Sequence, residues 1–230
     1  MKCIGLIGGM SWESSAQYYA IVNRAVRDRL GGSHSARSLM LSVDFAELEA
    51  LAHKGDWDRL GDRLIEAALA LEKGGADFLV LCTNTMHMFA ERIEEASGLP
   101  LLHIADPAGE AIRAAGMRKV GLIGTAFTME QDFYKARFAE HFGIETIIPG
   151  EDDRREIHRV IFDELIVGRI EAESRQFHRE AMARLAEAGA EGIVLGCTEI
   201  MLLVGEGDSP VPLFDTTTLH ALAAVELALA

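Results

Sequence analysis

The segment that decides the fold is residues 75–86, GADFLVLCTNTM, in which a short apolar run is followed at once by polar side chains. Residues 189–200, GAEGIVLGCTEI, align with it without a gap, 114 positions further along the chain. Residues 4–8 (IGLIG) likewise align with residues 120–124 (VGLIG), 116 positions further along. Two correspondences in the same order and at nearly one offset predict an internal repeat of two similar halves.

Six short apolar runs alternate with longer segments of helical period along the whole chain. A continuous apolar run bounded by glycine is typical of a strand buried on both faces of a parallel sheet. The alternation therefore predicts an α/β fold of two pseudo-symmetric domains, each a parallel sheet flanked by helices. The predicted strands are residues 3–7, 39–43, 78–81, 120–123, 146–148 and 192–195.

Capping residues and glycines mark the predicted helix ends. Ser14 and Gln17 have the spacing of a capping box, and the helix that they open is predicted to stop at Gly31. Asp106 is predicted to cap a helix that has Pro107 at its first position. The other predicted helices are residues 56–73, 171–188 and 216–230.

The repeat also predicts the domain boundaries. The N-terminal domain is expected to comprise residues 1–105 together with residues 216–230, because the last helix is left over after the second half and would pack back on the first. The C-terminal domain is expected to comprise residues 106–215. We expect the two domains to face each other across a cleft that holds the active site.

Charge and cysteine content exclude several classes of function. The chain of 230 residues has 36 acidic and 22 basic side chains, a net charge of −14, which argues against nucleic-acid or anionic-membrane surfaces. No stretch approaches the ~20 apolar residues of a membrane span, and the N-terminus does not read as a secretory signal. The cysteines Cys3, Cys82 and Cys197 are odd in number and show no metal-ligand spacing, so a reduced cytoplasmic protein without a metal is expected.

The repeated strands present polar clusters at equivalent places, residues 81–85 and residues 195–199. Ligands of open α/β sheets bind at the carboxyl ends of strands, and free N–H groups at a helix start bind carboxylates. Two such strand ends would bind a small acid from two sides. The alternative interpretation is that the Asn and Thr side chains only cap helices.

The sequence resembles the aspartate/glutamate/hydantoin racemase superfamily over essentially its whole length. The resemblance lies in residues 8–11 (GGMS), Asn84 with Thr85, and residues 196–199 (GCTE), of which the Thr-Glu pair resembles the aspartate racemase branch. It implies a cofactor-independent isomerase of amino acids with two α/β domains. Family members are commonly homodimers, so a homodimer is expected here too.

In that family a thiol from each domain flanks the substrate α-carbon. This chain departs from the pattern, because Thr83 stands where the first motif has its cysteine, and the repeat aligns Thr83 with Cys197. By resemblance, Cys197 as thiolate takes the α-proton of the L-isomer, and Thr83 or a water that it holds delivers a proton to the opposite face. L-to-D conversion would then be favoured kinetically. A helix N-terminus is expected to lower the pKa of the Cys197 thiol.

The resemblance also implies the substrate contacts. The substrate is expected to be aspartate, with glutamate as a second candidate. Glu199 is expected to accept the ammonium group or to steady Cys197. The residues expected to hold the α-carboxylate or line the pocket are Met10, Ser11, Thr83, Asn84, Thr85 and Thr198. Candidates for binding the distal carboxylate are Arg37, His53 and Lys54.

Several alternatives remain open at this point. A bent loop could bring Cys82 inward and restore a two-thiol enzyme. A single-cysteine decarboxylase resembling arylmalonate decarboxylase would use Cys197 alone, and a non-catalytic amino-acid-binding protein would use no thiol. Among other polar residues, His87 is expected to be a satisfied helix histidine rather than a metal ligand. Glu164 could face the cleft, but a solvated helix face is the expected position.

Overall fold

The computed structural model describes residues 1–230 and divides into two compact units, residues 1–104 with 220–230 and residues 105–219. Each unit contains one four-stranded parallel sheet. The strands are β1 (Ile4–Gly8), β2 (Ser38–Ser42), β3 (Phe78–Leu81) and β4 (Leu101–Leu102) in the first unit, and β5 (Lys119–Gly124), β6 (Glu145–Ile147), β7 (Gly192–Gly196) and β8 (Leu213–Asp215) in the second.

Eleven α-helices connect these strands, and a 3₁₀ turn, Thr85–Phe89, follows β3. The helices of the first unit are α1 (Trp12–Leu30), α2 (Phe45–His53), α3 (Trp57–Lys73) and α4 (Ala90–Ser97). Those of the second unit are α5 (Ala105–Ala114), α6 (Ala126–Glu130), α7 (Asp132–Arg137), α8 (Glu151–Asp163), α9 (Ala172–Glu187) and α10 (Ile200–Leu203). The last helix, α11 (Thr216–Leu229), begins in the second unit and ends in the first.

The two sheets repeat one another in strand order and in register. The orders are β2-β1-β3-β4 and β6-β5-β7-β8. Ile4 pairs with Phe78 in the first sheet, and the residues aligned with them by the repeat, Val120 and Gly192, pair in the second. The predicted α/β class with parallel sheets is therefore confirmed.

Both faces of each sheet are covered, which explains the continuous apolar runs. In the first unit, Leu79 and Leu81 of β3 pack in one hydrophobic cluster with residues of α3 and α4. Phe78 and Val80 pack in a second cluster with α1 and α11. Successive side chains of a strand point to opposite faces, so a strand covered on both sides needs an apolar residue at every position.

The structure corrects two predicted helix starts. The helix α1 is capped by Ser11, whose hydroxyl accepts a hydrogen bond from the Ser14 N–H at 3.3 Å, whereas the Ser14 hydroxyl donates to the Ser11 carbonyl. Asp106 lies inside α5 and does not cap it. Its carboxylate instead forms a bidentate ion pair with Arg137 at 2.6 and 2.7 Å, because the charge is neutralised better by a guanidinium fork than by helix N–H groups.

Two strands were not predicted, because β4 and β8 are only two and three residues long and lie at sheet edges. The predicted domain boundaries also differ from those of the units, by one residue at the junction and by four at the last helix. Thr216, at the start of α11, donates its hydroxyl to the Leu195 carbonyl of the second unit at 2.7 Å. From His220 onward α11 packs with the first unit.

None of the helices has the length and apolar character required to cross a membrane.

Candidate active site

Cys197 directly follows β7, so it lies at the side of the second sheet where the strands have their carboxyl ends, beside the end of β5. At Gly124 of β5 and Gly196 of β7 the surrounding atoms are so close that only glycine fits. A Cβ atom on Gly124 would lie 2.7 Å from the Gly196 carbonyl oxygen, and one on Gly196 would lie 2.6 Å from Leu122 Cδ1. Because these contacts leave no space for a side chain, the backbone that carries Cys197 is tightly held.

Cys197, Thr198 and Glu199 form a buried hydrogen-bonded cluster. The Cys197 Sγ donates to Glu199 Oε2 at 3.0 Å, and the Thr198 hydroxyl donates to the same oxygen at 2.9 Å. Cys197 is 7% exposed and Glu199 is 2% exposed. The Glu199 carboxylate is therefore within hydrogen-bond distance of both neighbouring side chains.

The electrostatic environment of Cys197 differs from the prediction. Burial raises the pKa of the thiol well above its usual range, and the negative charge of Glu199 raises it further. The backbone N–H groups of Glu199 and Ile200 lower the pKa, as expected of a helix start, but their effect is smaller. The helix α10 has only four residues, so its N-terminus offers little to oppose a carboxylate 3.0 Å away. The resting form is therefore the thiol, hydrogen-bonded to the carboxylate.

The equivalent strand end in the first unit carries Thr83. This side chain is buried, and its hydroxyl makes no hydrogen bond with a protein group. The Thr83 N–H donates to the Leu81 carbonyl at 2.8 Å, and the Thr83 carbonyl accepts a hydrogen bond from the His87 ring at 2.7 Å. The backbone of Thr83 is thus fixed while its hydroxyl stays available. Asn84 and Thr85 follow it and are also buried.

Cys82 lies in the apolar core of the first unit. It is 0% exposed and belongs to the hydrophobic cluster that includes Val80 and Tyr18. The residue before it, Leu81, belongs to the cluster on the other face of the sheet. Burial raises the pKa of the Cys82 thiol well above the usual range. A buried thiol in apolar surroundings is a poor base.

The loop after β1 holds Met10 and Ser11. Strands β1 and β3 are neighbours, with Ile7 opposite Leu81, so this loop and Thr83 follow adjacent strand ends. The Ser15 hydroxyl accepts from the Gly9 N–H at 2.8 Å and donates to the Ser11 carbonyl at 2.7 Å, which fixes the loop. Met10 packs into the hydrophobic cluster on the α3 side of the sheet.

A model of the Asp/Glu/hydantoin racemase family matches residues 7–224. The chain belongs to this family. The chain is also similar to a broad-specificity amino-acid racemase, RacX, of Bacillus subtilis. The two are 23% identical over 235 residues, which cover 99% of this chain and 98% of RacX.

Solved structures of other proteins are similar to this chain over its full or nearly full length. A Yersinia pestis protein classed as an Asp/Glu racemase is 50% identical, with a TM-score of 0.92 and full coverage of both chains. An aspartate racemase homologue from Pyrococcus horikoshii is 33% identical, with a TM-score of 0.83 and full coverage of both chains. An arylmalonate decarboxylase structure, 17% identical with a TM-score of 0.59 over 99% of this chain and 94% of its own, shares the fold.

In this racemase-family chain, the three candidates for binding a distal carboxylate lie in two different places. Arg37 immediately precedes β2, so it lies at the amino end of the sheet, opposite the edge that carries Thr83. Parallel strands place their carboxyl ends at one edge, which removes Arg37 as a candidate. His53 and Lys54 are exposed at the end of α2.

Sequence reasoning missed the surroundings of Glu164. We expected it on a solvated helix face, but it is buried, because α8 ends at Asp163 and the chain turns there. Its carboxylate accepts hydrogen bonds from the Ser174 hydroxyl at 2.5 Å and from Arg159 at 3.1 Å. No group of three or more His, Cys, Asp and Glu side chains is arranged as a metal site.

Proposed function

We propose that this family member is a cofactor-independent racemase of an acidic amino acid, aspartate or glutamate. The observation that carries the proposal is the buried Cys197–Glu199 pair at the end of β7. Thr83, which lies two residues beyond β3 and is aligned by the repeat with Cys197, supplies the second proton carrier.

The reaction inverts the α-carbon, so a proton must leave one face of a planar, carbanion-like species and arrive on the other. Negative charge then develops on the α-carboxylate, and preorganised hydrogen-bond donors stabilise it. We assign that role to Asn84, Thr85 and Thr198, whose side chains are buried at the two strand ends. Met10 and Ser11 line the pocket in this proposal.

Cys197 removes the α-proton of the L-isomer. Its thiol must first lose a proton, and the nearest acceptor is the Glu199 carboxylate at 3.0 Å. We propose that this proton moves to Glu199, so that a thiolate and a carboxylic acid replace a thiol and a carboxylate. The thiolate then takes the α-proton and becomes a thiol again. Charge is conserved in both steps.

Thr83, or a water that it holds, delivers a proton to the opposite face. A hydroxyl can pass on a proton but is a poor base, so the D-isomer is processed slowly. The asymmetry is kinetic only, because enantiomers have equal free energies in water. The burial of Cys82 in the apolar core supports a single-thiol mechanism.

The test is α-proton exchange in D₂O, followed by NMR with L-aspartate, L-glutamate and their D-isomers offered separately. Fast exchange of the L-isomers and slow exchange of the D-isomers is the expected result. Equal exchange of both enantiomers contradicts the role of Thr83 and favours a second thiol. If none of the four amino acids exchanges its α-proton, the proposed racemase function is wrong.

Two other functions remain candidates, because neither needs a second thiol besides Cys197. A decarboxylase of the arylmalonate type would protonate a carbanion left by CO₂ loss, so CO₂ release without exchange would favour it. The polar side chains of Thr83, Asn84 and Glu199 favour an amino acid over an aryl substrate. A non-catalytic amino-acid-binding protein would keep its ligand affinity in Cys197→Ala and show no turnover at all.

A further inference from the structure

His87 makes two backbone hydrogen bonds on opposite sides of its ring. Its Nδ1 lies 2.7 Å from the Thr83 carbonyl oxygen, and the Ile104 N–H donates to its Nε2 at 3.1 Å. The ring therefore joins the backbone at the end of β3 to the backbone just beyond β4.

These two partners fix the protonation state and the tautomer of the ring. A carbonyl oxygen can only accept, so Nδ1 carries the hydrogen, and a backbone N–H can only donate, so Nε2 is unprotonated. His87 is 3% exposed, and its ring centroid lies 4.6 Å from that of His103 and 5.7 Å from that of His220. Burial lowers the pKa of His87 well below its usual range, and the two neighbouring histidines lower it further. A neutral ring is therefore maintained.

The neighbouring His220 has the same kind of role and leaves no nitrogen for a metal. Its Nδ1 lies 2.9 Å from the Tyr18 hydroxyl, and its Nε2 lies 2.8 Å from the Leu102 carbonyl. His87 and His220 thus hold the segment from Leu102 to Ile104 from two sides. This arrangement excludes a metal site at His87 and His220 and identifies both as connectors of backbone segments.

We propose that His87 is a positioning residue for Thr83, which holds the backbone of that residue so that its hydroxyl serves the proton step opposite Cys197. The proposal rests on the proposed racemase function. Thr83 has no side-chain hydrogen bond that could orient it, so the bond from His87 to its carbonyl is a side-chain anchor of the residue. Small displacements of a reacting group are costly, since a shift of about 1 Å can lower a rate about 100-fold.

Two amide substitutions separate the two hydrogen bonds. His87→Asn places an amide N–H near the position of Nδ1 and keeps the bond to the Thr83 carbonyl, while the bond to Ile104 is lost. His87→Gln places an amide oxygen near the position of Nε2 and keeps the bond to Ile104, while the anchor on Thr83 is lost. Each variant therefore leaves one buried backbone group without its partner, so their costs in stability are matched.

The readout compares two rates for L-aspartate in D₂O: incorporation of deuterium into the L-isomer, which needs only Cys197, and formation of the D-isomer, which also needs Thr83. In His87→Gln we expect D-isomer formation to fall about 10- to 100-fold, while deuterium incorporation into the L-isomer stays within about twofold of the wild type. In His87→Asn both rates stay close to those of the wild type, which is rescue by the variant that keeps the Thr83 bond.

Different results overturn different statements. If His87→Gln forms the D-isomer as fast as His87→Asn does, or if the two rates fall together in either variant, His87 does not position Thr83. An NMR measurement of the ring nitrogens that finds hydrogen on Nε2 also overturns the inference. If the wild-type protein shows no deuterium incorporation, the proposed function itself fails.

Discussion

The Sγ atom of Cys197 lies 3.0 Å from Oε2 of Glu199 and donates its hydrogen to that carboxylate. Both side chains are buried, so the charge of the carboxylate acts strongly on the thiol beside it and raises the pKa of that thiol. The carboxylate charge disfavours a thiolate beside it, and the same carboxylate is the group that can take the thiol proton. The pair therefore sets the pH at which Cys197 becomes a base.

Replacement of Glu199 by Gln should lower the pKa of the Cys197 thiol. The amide is neutral and similar in size, so the variant removes a charge that raises the thiol pKa and leaves burial unchanged. The thiolate then forms at lower pH. We expect the midpoint of iodoacetamide alkylation of Cys197, followed against pH by mass spectrometry, to move to lower pH than in the wild type. A midpoint that stays in place or rises would show that the Glu199 charge does not act on this thiol.

The pH dependence of activity should follow the same thiol. In the wild type the Cys197 proton passes to Glu199, so exchange of the L-aspartate α-proton should persist at pH values below the raised pKa of the Cys197 thiol. In Glu199→Gln this acceptor is lost, so exchange at those pH values should fall and should increase only as pH rises through the thiol pKa. An exchange rate that falls with rising pH over this range would contradict a thiolate base.

Cys197→Ser should lose racemase activity by roughly 10²- to 10⁴-fold, the usual contribution of a general base. A serine hydroxyl has nearly the same size but is a far weaker base. The matched control is Cys82→Ala, which changes a thiol in the apolar core and should leave the rate nearly unchanged. Chiral chromatography of the product gives both rates. Retained activity in Cys197→Ser, or equal loss in the two variants, would show that Cys197 is not the base.

Thr83→Cys should raise D-to-L turnover, because a thiol is a much better base than a hydroxyl at the position that the repeat aligns with Cys197. Thr83→Val is the matched control: it keeps the branched shape, removes the hydroxyl and should reduce D-isomer formation. The initial rates of both directions, measured separately with D- and L-aspartate, provide the comparison. No gain in the D-to-L direction would show that Thr83 does not face the α-carbon.

Gly124→Ala should destabilise the fold by about 1–3 kcal/mol, since its new Cβ would lie 2.7 Å from the Gly196 carbonyl oxygen. A backbone oxygen cannot rotate away, so the strand ends of β5 and β7 must separate. Gly207→Ala is the control, because a Cβ there meets nothing within 4 Å. Urea denaturation measures both free energies of unfolding. Equal stabilities would mean that the close approach of these strands is not required.

Much of the fold could be predicted, because the internal repeat shows itself in short apolar runs that are recognisable in the sequence. The apolar runs around Val80 and Val194 identified the two central strands, and their offset identified the second half. The same alignment predicted that Thr83, and not Cys82, corresponds to Cys197. The edge strands β4 and β8 could not be predicted, because two or three residues carry no periodicity.

The side-chain partners were less accessible to sequence reasoning. Glu164 has the sequence context of an exposed helix residue, but a turn after α8 buries it against Ser174. Asp106 has the context of a helix cap, but Arg137 lies 31 positions further along the chain and binds it. Each of these depends on a contact between residues that are distant in the sequence, which no local pattern records.

The sequence by itself determined the α/β class, the repeat, the family and the alignment of Thr83 with Cys197, because strand periodicity and short motifs are local properties. Only the tertiary structure decided the state of the groups at the strand ends. It buried Cys197 beside Glu199, which raises the thiol pKa against the expectation from the helix start. It also placed the His87 ring between Thr83 and Ile104. The physical reason is that pKa and hydrogen-bond geometry depend on burial and distance, which exist only once the chain has folded.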